Sequence, residues 1–207
     1  MNPYLGLLIS YLAGSIPFAY LAGRAKGVDL RKHGSGNLGA TNAIRVLGPR
    51  IGGLVYLGDT LKGMLPPLML GPRVDSPHPE LWAIGFGCAA ILGHVKPIFL
   101  LGKGGGKGVA TAGGVFFGLA PIPALIALAG FVITVAATRY ASLGSMVAAI
   151  LLPTMIFFFH GGLTPLFVIS CAIGLFVIYM HRSNIARLRH GTEPKVIRKK
   201  KTEATTT

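Results

Sequence analysis

The chain has 207 residues, 52% of them hydrophobic and 13% charged, and twenty Lys+Arg against six Asp+Glu give a formal net charge of +14. Proteins that use a basic balance to hold nucleic acid rarely carry long uncharged apolar runs, so that class is excluded. The balance points to an integral membrane protein that faces anionic lipid or a phosphorylated substrate.

The N-terminal "MNPYLGLLISYLAGSIPFAYLAG" has no basic n-region and predicts a retained span over 4–23, not a cleaved signal. The next stretch, "GSGNLGATNAIR" (34–45), is rich in glycine and polar residues between two apolar segments. Such turns expose backbone N–H groups, which hold anions. Ser35 offers a hydroxyl, Asn37 and Asn42 offer amide donors, and Arg45 offers a bidentate clamp for phosphate. The competing reading is an interfacial turn in which Thr41 or Asn42 caps a short helix.

A second span is predicted over 51–71, with Asp59 and Lys62 three residues apart on one face. Charges at that depth are costly, so the two either pair to hold helices together or take part in binding. A third span covers 81–101 and carries His94, read as a packing or hydrogen-bonding histidine. "GKGGGKG" (102–108) then opens a helix, and flexible backbone with lysine at a helix start suits a phosphoryl group. It is not a Walker A loop, because Leu101 stands where the first glycine belongs and Gly108 replaces the Ser/Thr. A flexible basic turn is the alternative.

Further apolar runs follow at 109–120, 124–138, 141–159 and 165–180, with "PIP" turning the chain between the first two. Cys88 and Cys171 lie inside apolar runs and read as small packing residues, not a disulfide. After the last run comes "HRSNIARLRHGTEP" (181–194), where His181 and Asn184 share a helical face. Arg182, Arg187 and Arg189 read as snorkelling or lipid-facing charges, and Glu193 as a tie for the turn around Gly191. Residues 1–194 are expected to form a single membrane-embedded domain, and 195–207 a basic, disordered tail.

These runs make an all-α integral membrane protein of seven transmembrane helices, or six without the short 109–120. Seven spans with the N-terminus outside and the C-terminus in the cytoplasm put Arg24 to Arg50, Lys103, Lys107, Arg139 and the basic tail inside. The outside loops keep Arg73, beside Asp75 and Glu80, which obeys the positive-inside rule. In this topology all the glycine-rich and polar motifs, "RYASLGS" with Ser142 among them, share one cytoplasmic surface. That surface has few carboxylates: Asp29, Glu193 and Glu203. No Gly-x-Ser-x-Gly elbow, His-x-x-x-x-Asp pair or zinc spacing occurs, so no cofactor, metal or conventional protein base is expected. A transporter or channel for organic phosphates is the rival reading, weakened by the lack of an internal repeat.

"SGNLGATN" with Arg45 downstream, "GGKGVAT" and "HRSNIARLRHGTE" resemble the three signature motifs of the bacterial acyl-phosphate:glycerol-3-phosphate acyltransferases (PlsY). The resemblance runs in order over nearly the whole chain and implies a seven-helix membrane enzyme of phospholipid biosynthesis. Such an enzyme moves a fatty acyl group from acyl phosphate to glycerol 3-phosphate in the bacterial inner membrane. The resemblance implies Ser35, Arg45, Lys107, His181 and Asn184 as site residues acting in catalysis, and Glu193 as structural. Gly104, Gly105, Gly106, Lys107 and Gly108 would form its phosphate loop, with Gly36, Asn37 and Ser142 also expected at substrate phosphate. The Gly and Lys that precede "GGKG" here leave the loop's register, and the part of Lys103, open. The implied partners are the two substrates, membrane lipid and an acyl-phosphate-producing enzyme. An acyl phosphate is already activated, so attack by an alcohol needs positioning and charge stabilisation, with substrate phosphate free to take the proton.

Overall fold

The computed structural model describes residues 1–196; most of the basic tail expected at 195–207 lies outside the described residues. Among the described residues the chain is helical throughout, without strands. The first run is not one helix. It is α1 (Pro3–Gly14) and α2 (Phe18–Ala25), parted at Pro17, which has no N–H to continue a helix and disfavours helical backbone before it. The polar stretch that follows ends in a short helix, α3 (Ala40–Leu47), and Gly48 turns the chain into α4 (Pro49–Leu70). Helix α5 (Pro79–Val95) stops before Pro97, and a single 3₁₀ turn, Ile98–Leu100, leads to the glycine loop.

The second half contains α6 (Val109–Leu119), α7 (Pro121–Thr138), α8 (Ala141–Phe159), α9 (Pro165–Met180) and α10 (Arg182–Arg189). Among the described residues four segments are long and apolar enough to cross a membrane: Pro3–Ala25, Pro79–Leu100, Pro121–Thr138 and Ala141–Phe159. The pair α9–α10, bent by 53°, makes a fifth. Helix α4 is 22 residues long but carries buried Asp59 and Lys62. Helix α6 has 11 residues, so it rises only about 16 Å, roughly half a bilayer core. Leu54, Ile133 and Leu175 expose 68%, 68% and 69% of their surface, as side chains facing hydrocarbon do.

Helix α4 is the centre of the first half and packs on α1, α2, α3, α5 and α6, while α7, α8 and α9 pack in sequence and meet the first half through α6 and α5. The α4–α6 contact depends on small residues. A Cβ on Gly63 would lie 2.1 Å from the Thr111 carbonyl oxygen, and one on Gly114 would lie 2.0 Å from that of Thr60. Glycine at both positions lets the two backbones touch, the usual basis of helix association in membranes. Gly114→Val should therefore lower stability by about 1–3 kcal/mol through overpacking. Thermal unfolding in detergent checks this, and a melting curve like that of the wild type would show that α4 and α6 do not pack so closely.

Candidate functional site

The break after α9 places His181 at a buried bend, and α10 then carries Asn184 and Arg187 back over the bundle. Gly191, at φ 67°, ends α10 and reverses the chain so that Glu193 folds under it. Glu193 is 6% exposed. Its Oε1 accepts from Ser142 Oγ at 2.8 Å and from Asn184 Nδ2 at 2.7 Å, and its Oε2 accepts from Arg187 Nε at 2.7 Å. The other face of Asn184 accepts from Lys107 Nζ, which fixes the amide's orientation. Arg45, on α3, donates to the carbonyls of Pro194 at 2.8 Å and Lys195 at 3.2 Å. The expected tie around Gly191 is therefore present and reaches further than the turn. Arg187, expected to be a lipid-facing charge, is instead the ion-pair partner of Glu193.

These segments surround a cavity of about 1310 Å³, counting its open mouth. Ser35, Asn37, Arg45, Lys107, Gly108, Ser142, His181, Asn184 and Glu193 all line it. Below this polar end the wall becomes apolar, built from Ala112, Gly113 and Phe116 on α6, Leu128 on α7, Ala149 and Leu152 on α8, and Ile173 on α9.

Other expected residues lie elsewhere. Gly36 does not line this cavity, Lys103 is exposed and also off it, and Gly104, Gly105 and Gly106 border a much smaller crevice beside it. A Cβ on Gly105 would lie 2.0 Å from the Val95 carbonyl oxygen, and one on Gly106 would lie 2.1 Å from His94 Nε2. Close packing on the end of α5 accounts for glycine at both positions. Lys107 and Gly108 are the loop residues that reach the main cavity.

Asn42 neither caps α3 nor keeps its amide for a ligand. It is buried, its Nδ2 donates to the Leu30 and His33 carbonyls at 3.1 Å each, and its Oδ1 accepts from the Ser35 N–H at 2.8 Å. Gly39 is the N-cap residue of α3, and no side chain caps the helix. Asn42 thus holds the loop that presents Ser35. Asp59 and His94, read from the sequence as a pairing or binding charge and a packing histidine, also line the cavity.

Electrostatics follow from burial among cations. Burial lowers the Lys107 pKa, as do Arg187, Arg45 and Arg182, while Glu193 opposes, and the result is about 8. Burial also lowers His181. A carbonyl oxygen only accepts, so the 2.8 Å contact of His181 Nδ1 with Val177 O puts the ring hydrogen on Nδ1 and leaves Nε2 as an acceptor. Burial works to raise the Glu193 pKa, but its hydrogen bonds from Asn184, Ser142 and Arg187, with the Arg187 charge, hold it below the usual carboxylate range. What results is a cationic, donor-rich pocket opening into an apolar arm, suited to an amphiphile with a phosphate head.

Asn42→Ala would orphan the Ser35 N–H and two carbonyls, at a cost of about 2–4 kcal/mol for the set. Limited proteolysis should then cut within 31–38 under conditions where the wild type resists. Equal resistance of the two proteins contradicts the clamp.

A family model described as "Glycerol-3-phosphate acyltransferase" matches residues 4–191. The chain is 48% identical over 185 residues to a glycerol-3-phosphate acyltransferase of Geotalea daltonii, covering 89% of this chain and 92% of the relative. It is 44% identical over 194 residues to that of Bacillus subtilis, covering 92% and 95%. In structure it is similar to crystal forms of PlsY, an integral membrane glycerol 3-phosphate acyltransferase. The glycerol 3-phosphate form gives a TM-score of 0.87 at 39% identity, over 94% of this chain and 96% of that one. The lysophosphatidic acid form gives 0.84 at 38%, over 94% and 95%. With its fold and nearly its whole length matched, the chain belongs to the glycerol-3-phosphate acyltransferase family.

Proposed function

We propose that this protein moves a fatty acyl group from an acyl phosphate to the 1-hydroxyl of glycerol 3-phosphate, releasing lysophosphatidic acid and phosphate. The observation that carries this reading is the continuity of one cavity from a cationic end at Arg45 and Lys107 to an apolar arm. Ser142, Ser145, Ala149 and Leu152 line the arm along one face of α8. The ten-residue rise from Ser142 to Leu152 is about 15 Å, close to the roughly 15 Å of one hydrocarbon leaflet. A phosphate head with a fatty tail fits such a space, and the acyl carbonyl would lie where the lining changes from polar to apolar.

In this reading the hydroxyl oxygen attacks the acyl carbonyl carbon, the bond from that carbon to the phosphate oxygen breaks, and a substrate phosphate oxygen takes the hydroxyl proton. Lys107, Arg45 and Ser35 stabilise phosphate charge, Asn37 and Gly108 add donors, Ser142, with its hydrogen on Glu193, lines the phosphate end as an acceptor, and His181 Nε2 and Asn184 orient the substrates. Glu193 remains structural. The backbone of Gly36, Gly104, Gly105 and Gly106 supports the walls from behind. Arg45 must release the Pro194 and Lys195 carbonyls before the same two N–H groups can clamp a phosphate, which links the segment after α10 to substrate entry.

The orientation proposed has seven spans, the N-terminus outside and the C-terminus in the cytoplasm. Residues 1–194 form one domain, and the site faces the cytoplasm of a bacterial inner membrane. The Lys/Arg distribution supports it. Cysteines introduced at Lys26 and Ser76 should react with impermeant reagents from opposite sides; reaction from one side defeats this orientation.

Purified protein given palmitoyl phosphate and labelled glycerol 3-phosphate should form lysophosphatidic acid, and no product under any condition refutes the reading. Arg45→Lys and Ser35→Ala should each lose roughly 30- to 1000-fold, the equivalent of about 2–4 kcal/mol, with exposed Arg50→Lys as a near-silent control. Lys107 is cationic below its pKa of about 8 and loses its charge as pH rises through it. The kcat/KM profile should therefore fall on its alkaline side near pH 8, and Lys107→Arg should shift that limb upward. An alkaline limb unmoved by Lys107→Arg removes Lys107 from phosphate binding.

A further inference from the structure

Asp59 and His94 border both the main cavity and the smaller one beneath the glycine loop. Asp59 lies on α4 and His94 on α5, exposed by only 2% and 6%. Lys62 Nζ is 2.7 Å from Asp59 Oδ1 and donates to the Ile16 carbonyl at 2.8 Å, at the α1–α2 break. His94 Nδ1 faces the same Asp59 oxygen at 3.5 Å. The opposite edge of the ring meets the glycine loop, since a Cβ on Gly106 would lie 2.1 Å from His94 Nε2 and 3.0 Å from the Leu38 carbonyl oxygen. The imidazole therefore stands where the loop carrying Ser35 and the loop carrying Lys107 come together.

Ionisable groups inside a membrane-spanning helix are retained at a cost, and a clamp between helices needs only Lys62, Asp59 and Ile16. What that clamp leaves unexplained is the histidine aligned on the same carboxylate with its far edge against Gly106, the neighbour of Lys107. We propose that Asp59 is a positioning residue: neutralised by Lys62, it sets the His94 ring, and through it the height at which Gly106 and Lys107 meet the phosphate of glycerol 3-phosphate. The proposal rests on the acyltransferase reading of this site. Lys62 keeps the carboxylate from presenting a net negative charge to that phosphate.

Removing one member of a buried ion pair leaves an uncompensated charge, whereas removing both is close to neutral for stability. The informative variant is thus Asp59→Leu/Lys62→Met, which removes the oxygen facing His94 as well as the charge, measured by thermal unfolding, by titration with glycerol 3-phosphate alone and by steady-state transfer from palmitoyl phosphate. The melting temperature should stay near that of the wild type. The Kd for glycerol 3-phosphate should rise about tenfold, in the range of lost orienting contacts, while the KM for palmitoyl phosphate holds. His94→Ala should give the same rise, and combining it with the double variant should add little, because residues acting as one unit are not additive. Wild-type affinity in the double variant overturns the proposal, as does a variant in which stability falls and affinity does not. Wild-type protein that binds glycerol 3-phosphate yet makes no lysophosphatidic acid refutes the acyltransferase reading, while the Kd comparison still decides the role of Asp59.

Discussion

The Glu193 carboxylate holds the site together. Through it Ser142 at the start of α8, Asn184 and Arg187 on α10, and the turn after Gly191 share one buried anion. Asn184 passes that arrangement on to Lys107, and the backbone beyond Glu193 passes it on to Arg45 on α3. A pocket containing Arg45, Lys107 and Arg187 would repel itself without such an anion, more so where burial lowers the effective dielectric. The carboxylate is strongly hydrogen-bonded and stays ionised, and Lys107, pushed down to about 8, shows how close the cluster is to shedding a proton. A phosphate entering the cavity adds the negative charge that the cluster lacks.

The membrane imposes the second constraint. In hydrocarbon every backbone polar group must find a partner inside the protein. At the α1–α2 break the Ile16 carbonyl accepts from the Phe18 N–H at 3.2 Å and, from inside α4, from Lys62 Nζ at 2.8 Å. The proline after α5 ends that helix early and lets the glycine loop fold back onto Val95. Helix α6 is short, and small residues face it across the cavity from α8 and α9, so the apolar arm stays open beside the polar end. Helix breaks and a short helix are what allow a polar site and an apolar groove to be continuous.

Much of this was legible in the chain. Apolar runs locate α4 and α6 to α9 to within a few residues, because length and hydropathy dominate membrane folding, but not the breaks at Pro17 and Pro97 or the short polar helices α3 and α10. The three polar motifs name Ser35, Arg45, Lys107, His181, Asn184 and Glu193, all of which line one cavity. What escaped sequence reasoning depends on contacts between distant segments. Asn42 is an amide in a polar loop whether it faces a ligand or its own backbone. Gly105 and Gly106 look like a phosphate cradle, and only the proximity of Val95 and His94 shows that packing demands them. Arg187 resembles any interfacial arginine until Gly191 turns Glu193 onto it, though a lone acid just past a glycine among arginines was an available signal.

The most direct test of this account is the rate of lysophosphatidic acid formation by Glu193→Ala protein, with helicity followed by circular dichroism. Losing the anion frees Ser142, Asn184 and Arg187 together, and Lys107 loses the support it takes from Asn184. The account predicts a fall in kcat/KM of about 100-fold or more, equivalent to roughly 3 kcal/mol or more, with the helical signal unchanged. A variant that retains kcat/KM within about threefold, roughly 0.7 kcal/mol, would contradict the claim that Glu193 assembles the site.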